Sequence, residues 1–372
     1  MTRVGPSVAA LLLMTASCLA QPEPENMAIH KPYTLSLEPN YDYCMDADDA
    51  VQLTDGVHTQ GHFWTQKTTV GWTVAEPVII TVDLQQVEPV VGVSFSTAGG
   101  EAGVSWPWSA CVLVSDDGES WTLAGDLVRL AAPSGGPPAA GYATHRFVTQ
   151  GLRTRGRFVR FAVMPLPYTF VDEVEVYRGP DELLAQVPSG REVTDMAQLE
   201  LETKGAHAMR SRLQADLRAA EQAIEGSDLP EADKAGLRAK TATLAAEIEA
   251  LPGELPAGFT TVMPFSDLQT RVFALNAPVL RARGLPALTV WAQNRWDMLE
   301  PTQAPEQPTD SAPSLSLHMM RNEYRAEVFN LTNATDGALD VSVSIRGLPG
   351  GPNPQYVSVR EVQFTDTYVR VP

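Results

Sequence analysis

The chain has 372 residues, 44% of them hydrophobic, enough for two or three domains that each bury a core. Lys and Arg number 27 against 45 Asp and Glu, a formal net charge of −18, so the average surface repels phosphate backbones and anionic lipid. Nucleic acid is therefore not an expected partner, and the apolar content argues against a disordered chain.

Residues 1–20 read as an export signal. Arg3 gives the positive start, "VAALLLM" the apolar stretch, and "ASCLA" a small-residue end before the polar "QPEPEN". Two processing sites compete: cleavage after Ala20 releases a soluble protein, whereas "TASC" is an imperfect lipobox that would make Cys18 a lipidated N-terminus. No other stretch approaches the roughly 20 apolar residues of a membrane span. The expected location is thus outside the cell or in the envelope, periplasmic or tethered by lipid. Beyond the signal only Cys44 and Cys111 remain. In an oxidising compartment they are candidates for one bridge, the alternative being that Cys111, within "ACVLV", is a small buried core residue.

From about residue 28 to 180 short alternating or apolar runs are separated by Gly, Pro and Asp turns: "VIITVDL", "VVGVSF", "ACVLVS", "RFVRFAV" and "VDEVEVY". This spacing predicts a β-sandwich, with "SDDGES" as a hairpin turn and "APSGGPPAAG" as a loop. Residues 190–253 change character, becoming rich in Ala, Leu, Glu, Arg and Lys. Leu213, Leu217, Ala220 and Ile224 mark one apolar face, and Leu237, Leu244, Ile248 and Leu251 another, both at helical spacing. The pattern predicts an antiparallel helical hairpin, broken at Gly226 and capped again by Ser227 or Asp228. Residues 259–372 form a third region. "SDLQTRVFALNAPVLRARG" predicts one helix from a Ser-x-x-Gln capping box to Gly284, and "ALTVWAQNRWD" a strand. The Pro-rich "EPTQAPEQPTDSAP" reads as a linker or edge segment. The alternating remainder predicts two or three strands joined at "NATDG", part of a second β-sandwich.

Five segments of the first region, in order, resemble the discoidin or coagulation-factor C-type family of galactose-binding-like jelly rolls: "LTDGVHTQGHFW", "VIITVDLQQVEPVVGVSF", "VLVSDDGESW", "GRFVRFAV" and "DEVEVYRG". They match its Asp-Gly segment followed by Trp, its Asp-Leu strand, its Ser-x-Asp-Gly turn before an aromatic, its Arg-aromatic-Val-Arg strand and its closing strand. The resemblance covers about 150 residues. It implies a mainly β chain whose first domain is a jelly-roll sandwich and whose function is non-catalytic binding, with carbohydrate at the cell envelope or outside the cell as the expected partner. Because the same fold also hosts spacers and protein-interaction modules, those functions stand beside it. "RNEYRAEVFNLTN" further resembles the opening of an accessory β-sandwich that precedes a glycoside-hydrolase-type barrel in large exported bacterial proteins. On that reading the chain is the front part of a polysaccharide-degrading enzyme.

The discoidin resemblance also implies a structural calcium, for which the matching positions are Asp55 and Glu173, hard oxygen ligands. The sequence departs from the family where a second acid usually follows the Gly, since Val57 offers only its carbonyl. The alternative is that Asp55 simply caps a turn. His58 and His62 have the i, i+4 spacing of a zinc helix, but Gly61 and the missing Glu after His58 argue for polar loop histidines instead.

Five of the seven tryptophans, Trp64, Trp72, Trp106, Trp108 and Trp121, fall in the first region. Sugar rings pack their C–H faces on aromatic planes while their hydroxyls take hydrogen bonds. Trp121, after the hairpin turn, and Trp64, at a family position that is usually buried, are expected in the core. For Trp72, Trp106 and Trp108, core packing and ligand contact both stand, with His58 and His62 as polar partners if the loops converge. No Gly-x-Ser-x-Gly elbow or phosphate-binding glycine loop occurs, and the close acids of "SDDGES" and "DEVEVY" lie on a turn and an alternating strand, so no catalytic residue is expected.

Overall fold

The computed structural model describes residues 24–74, 76–188, 190–307 and 313–366. The expected export signal and Cys18 lie outside these residues. The chain divides into two compact units between Thr194 and Asp195.

The first unit is an antiparallel β-sandwich built around one long strand. Its elements are β1 (Tyr33–Leu35), β2 (Val70–Val74), β3 (Val78–Gly99), β4 (Ala110–Ser115), β5 (Trp121–Asp126), a short helix α1 (Leu127–Ala131), β6 (Ala143–Thr149), β7 (Thr154–Val163), β8 (Leu166–Arg178) and β9 (Arg191–Val193). The first half of β3 pairs with β1 and β7, and its second half with β6 and β8. One layer therefore runs β1-β3-β7-β4-β5-β9 and the other β2-β8-β3-β6, with β3 turning the corner between them. The turn falls at the register break between Asp83 and Glu88, where Gln85 takes a φ of 74°. Asp83 holds it: its carboxylate accepts the Gln85 N–H at 2.7 Å and both Arg157 Nε and Nη2 at 2.7 Å. Arg157 in turn keeps the Asp83 acid below its ordinary range.

Alternation explains the first half of β3, whose Ile80, Val82 and Leu84 are buried while Ile79, Thr81 and Asp83 are half-buried. The second half is buried on both faces, where Ser94, Ser96 and Thr97 are as buried as Val93 and Phe95, the Ser94 hydroxyl donating to Glu175 and that of Thr97 to the Phe170 carbonyl. There the chains approach so closely that a Cβ on Gly92 would stand 2.0 Å from the Thr149 carbonyl. The predicted hairpin turn after β4 forms at residues 116–120. Asp117 accepts the N–H groups of Glu119 and Ser120 at 2.8 Å, which holds its acid down to about 2.

The expected Cys44–Cys111 bridge is absent. Neither forms a disulfide and both are buried, Cys44 packed over Gly71 and Phe170, and Cys111 on β4 opposite Asp126 and Ala162. The alternative of small core residues describes them, and burial pushes the Cys44 thiol up to about 12, where it is unreactive.

In the second unit α2 (Met196–Glu225) and α3 (Glu231–Glu249) bury Leu213, Leu217, Ala220 and Ile224 against Leu237, Leu244 and Ile248. Asp195 caps α2 by accepting the Ala197 N–H. At α3 the expected Ser227 or Asp228 cap is replaced by Pro230, without a side-chain cap, because the Ser227 hydroxyl donates back to the Ile224 carbonyl at 2.6 Å. The single helix expected after Ser266 is two: α4 (Asp267–Ala274) and α5 (Asn276–Ala282). Pro278 has no N–H for the Ala274 carbonyl, so the ladder breaks there. β10 (Leu288–Trp291) pairs with β11 (Asn330–Asn333). Among the described residues this two-stranded sheet and an isolated Val262–Thr365 bridge stand where the partial second β-sandwich is expected. Leu315, Leu317, Met319, Leu339, Val341 and Val343 keep their alternation but remain exposed. Without a covering layer the pattern has nothing to bury against. Among the described residues no helix is long and apolar enough to cross a membrane.

Candidate ligand-binding site

The segment 55–66 is anchored to the sheet by backbone groups. Asp55 ends a 3₁₀ turn (Gln52–Thr54), and its Oδ1 accepts the Val57 N–H at 2.7 Å, the turn-capping geometry open to it. Gly56 donates its N–H to both carboxylate oxygens of Glu173 at 3.2 Å, and Thr59 donates to Asp172 Oδ2 at 2.7 Å. His58 Nδ1 lies 3.6 Å from the same Asp172 oxygen. Asp172 and Glu173 are consecutive on β8 and both buried, at 1% and 0% exposure. Loss of water raises both acids, Glu173 to about 9.

The anchored segment presents a cluster of aromatic rings. A 3₁₀ turn (Phe63–Thr65) buries Phe63 and leaves Trp64 half-buried and His62 exposed. Tyr142, from the loop before β6, packs its ring 4.2 Å from that of His62 and 5.2 Å, edge to face, from that of Trp64. Its hydroxyl donates to the Gly61 carbonyl and accepts the Phe63 N–H at 3.3 Å. One phenol therefore joins two loops 80 residues apart in sequence and fixes the angle between their rings.

A third loop closes the arrangement. Glu101 Oε2 lies 4.0 Å from His62 Nε2, and both side chains are more than half exposed. At Gly100, φ 90°, a Cβ would stand 2.3 Å from the Gly141 carbonyl, so a glycine is required for the loop after β3 to lie against the loop before β6. Half-buried Trp106 sits on Gly99, donates its indole N–H to the Pro138 carbonyl at 3.0 Å, and meets His145 edge to face at 6.0 Å. The three loops thus bring His62, Trp64, Tyr142 and Glu101 together, while Trp106 packs beside them on Gly99, Pro138 and His145 of two of the same loops. Rings with a carboxylate and an imidazole beside them offer apolar planes and hydrogen-bond partners together.

The structure separates the tryptophans that the sequence grouped. Trp72 is wholly buried and donates to the Leu37 carbonyl at 3.0 Å, so it packs the core and is not available for ligand contact. Trp108 is half-buried, its indole N–H on the Pro165 carbonyl at 3.2 Å. Trp121 is 6% exposed beneath the Arg160 guanidinium, 3.6 Å from its ring. Trp64, expected in the core, is half-buried at the surface cluster. His58 faces the buried Asp172, whereas His62 joins the rings. Glu101 and Tyr142 were not singled out from sequence. Their signals were slight, an acid after two glycines and an aromatic ending a Gly- and Pro-rich loop. Among the described residues no three His, Cys, Asp or Glu side chains gather to hold a metal ion.

No family model and no curated protein matches the chain. Among solved structures it is similar to a module of Clostridium perfringens, CpGH89CBM32-6, at 19% identity over 42% of this chain and 100% of that one, TM-score 0.27. It is also similar to a chitosan-binding module of a chitosanase/glucanase from a Paenibacillus species, at 21% identity over 41% of this chain and 98% of that one, TM-score 0.26. A fucose-binding module of Streptococcus pneumoniae is 16% identical over 42% of this chain and 99% of that one, TM-score 0.29. At these identities and TM-scores the likenesses carry nothing about a ligand of this chain. The jelly-roll sandwich described above rests on its own strand order and register.

Proposed function

We propose that the first unit is a non-catalytic carbohydrate-binding module of an exported protein. The observation that carries this reading is the convergence of Trp64 and Tyr142 with His62 and Glu101 from three loops, with half-buried Trp106 held on two of the same loops. Half-exposed rings suit the C–H faces of sugars, and a carboxylate with an imidazole suits their hydroxyls. The export half of the reading rests on residues 1–20 of the sequence alone.

Calcium is part of the same proposal. The Glu173 carboxyl is out of water, and its near partner is one peptide N–H. A hard cation held by Glu173, Asp55 and backbone carbonyls would supply the positive charge that burial otherwise withholds, and would brace the segment that carries His62 and Trp64. Binding sugar requires no chemical step from the ion.

The test is a glycan array probed with the full chain, with and without a calcium chelator, beside a Trp64→Ala, Trp106→Ala double variant. Saturable binding that the double variant loses while its unfolding temperature stays within a few degrees supports the module. A chelator that weakens both binding and thermal stability supports the ion. A folded chain that binds no glycan overturns the carbohydrate reading.

A further inference from the structure

The three converging loops differ sharply from the rest of the chain in charge. Residues 57–66, 99–108 and 132–145 contain neither Lys nor Arg, and their single carboxylate is Glu101. Its side chain is 57% exposed and lies 4.0 Å from that of His62, itself 54% exposed. The flanking cations are engaged elsewhere. Lys67 donates to the Met45 carbonyl at 2.8 Å, and Arg146 is held by the Tyr177 hydroxyl at 3.1 Å and by Glu175 at 3.6 Å. Behind the surface, Asp172 is buried and accepts a peptide N–H, adding no cation. The whole chain carries −18.

We infer that this surface selects by charge: it takes uncharged or cationic glycans and rejects acidic ones, with Glu101 as the discriminating residue. The inference rests on the carbohydrate reading above and names the class of sugar that reading leaves open. Recognising a uronate, sulfate or sialic acid requires a fixed donor pair or a cation to replace the water around the anion. The three loops hold no Lys or Arg to do so, while the Glu101 carboxylate repels an anionic substituent brought to the same surface. A hydroxyl or an ammonium group instead donates to that carboxylate.

The experiment uses the full chain on an array of matched pairs, each a neutral glycan beside its sialylated, sulfated or uronic-acid counterpart, and reads the ratio of affinities within each pair. The neutral member is expected to bind and the acidic one to bind weakly or not at all. An exposed charge contact amounts to about a two- to fivefold change, so Glu101→Gln is expected to shrink the ratio by about that factor and Glu101→Lys by more. Added salt shrinks the wild-type ratio in the same direction. Acidic members bound as well as or better than neutral ones overturn charge selection while leaving the carbohydrate reading intact. A wild-type preference that both Glu101 variants retain in full removes Glu101 from the role. A folded chain that binds neither member of any pair overturns the carbohydrate reading and this inference with it.

Discussion

At the scale of single residues, buried carboxyls distinguish the first unit. Asp49 is 5% exposed, accepts the Gln52 side-chain N–H at 2.9 Å and the Asp46 N–H at 3.3 Å, and is raised by burial to about 6. An acid raised in the folded state binds its proton more tightly there than in the unfolded chain. Its contribution to stability is complete below pH ~4 and is lost as pH rises through about 6. Thermal unfolding from pH 4 to 7 is therefore expected to show a fall in the wild type that is smaller in Asp49→Asn. Equal slopes in the two proteins would remove Asp49 as a cause. Asp49 was not marked in the sequence. Its position after three nearby acids reads as a solvated turn, and only the packing of Tyr33 and Gln52 around it takes it out of water.

Loops are the elements that matter for the site, and their joint is one hydroxyl. Tyr142→Phe keeps the ring against His62 and Trp64 but removes the donor to Gly61 and the acceptor for the Phe63 N–H. Each such bond contributes about 0.5–1.5 kcal/mol net, so glycan affinity is expected to fall severalfold while the unfolding temperature moves by a few degrees at most. An unchanged affinity would mean that the ring alone sets the surface. The elements themselves were largely legible. Period-two runs marked β3, β4, β7 and β8, period-3.6 apolar positions marked the buried faces of α2 and α3, and the Ser-Asp-Asp-Gly turn declared itself through Asp117. The errors came where a local rule met a competing one. Pro278 divided an otherwise periodic helix, and Ser227 bonded backward to Ile224 instead of forward into α3.

At the scale of the whole molecule, each unit has its own apolar core, one around Trp72, Phe95 and Phe161 and the other around Leu213, Leu244 and Ile248. Trp72→Ala removes a wholly buried indole and its bond to Leu37, an expected cost of about 3–5 kcal/mol to the first unit alone. Calorimetry is expected to resolve two transitions in the wild type, with one moved down and the other unmoved in the variant. A single transition that shifts as a whole would show that the two cores melt together.

Strand and helix periods, turns and caps depend on residues a few positions apart, and the sequence determined them, along with the order of the five jelly-roll segments and the net charge. Exposure and convergence depend on register between distant strands. Trp72 and Trp106 were alike in sequence as candidates for either core packing or ligand contact, yet pairing of β2 with β8 sends one into the core, while the fit of Gly100 against Gly141 holds the loops on either side of the other together. Glu101, His62 and Tyr142 span 81 positions of chain, and no local pattern links them. Only the tertiary structure decided that they meet, because their meeting is a consequence of how β3 turns its corner and pairs its second half with β6 and β8.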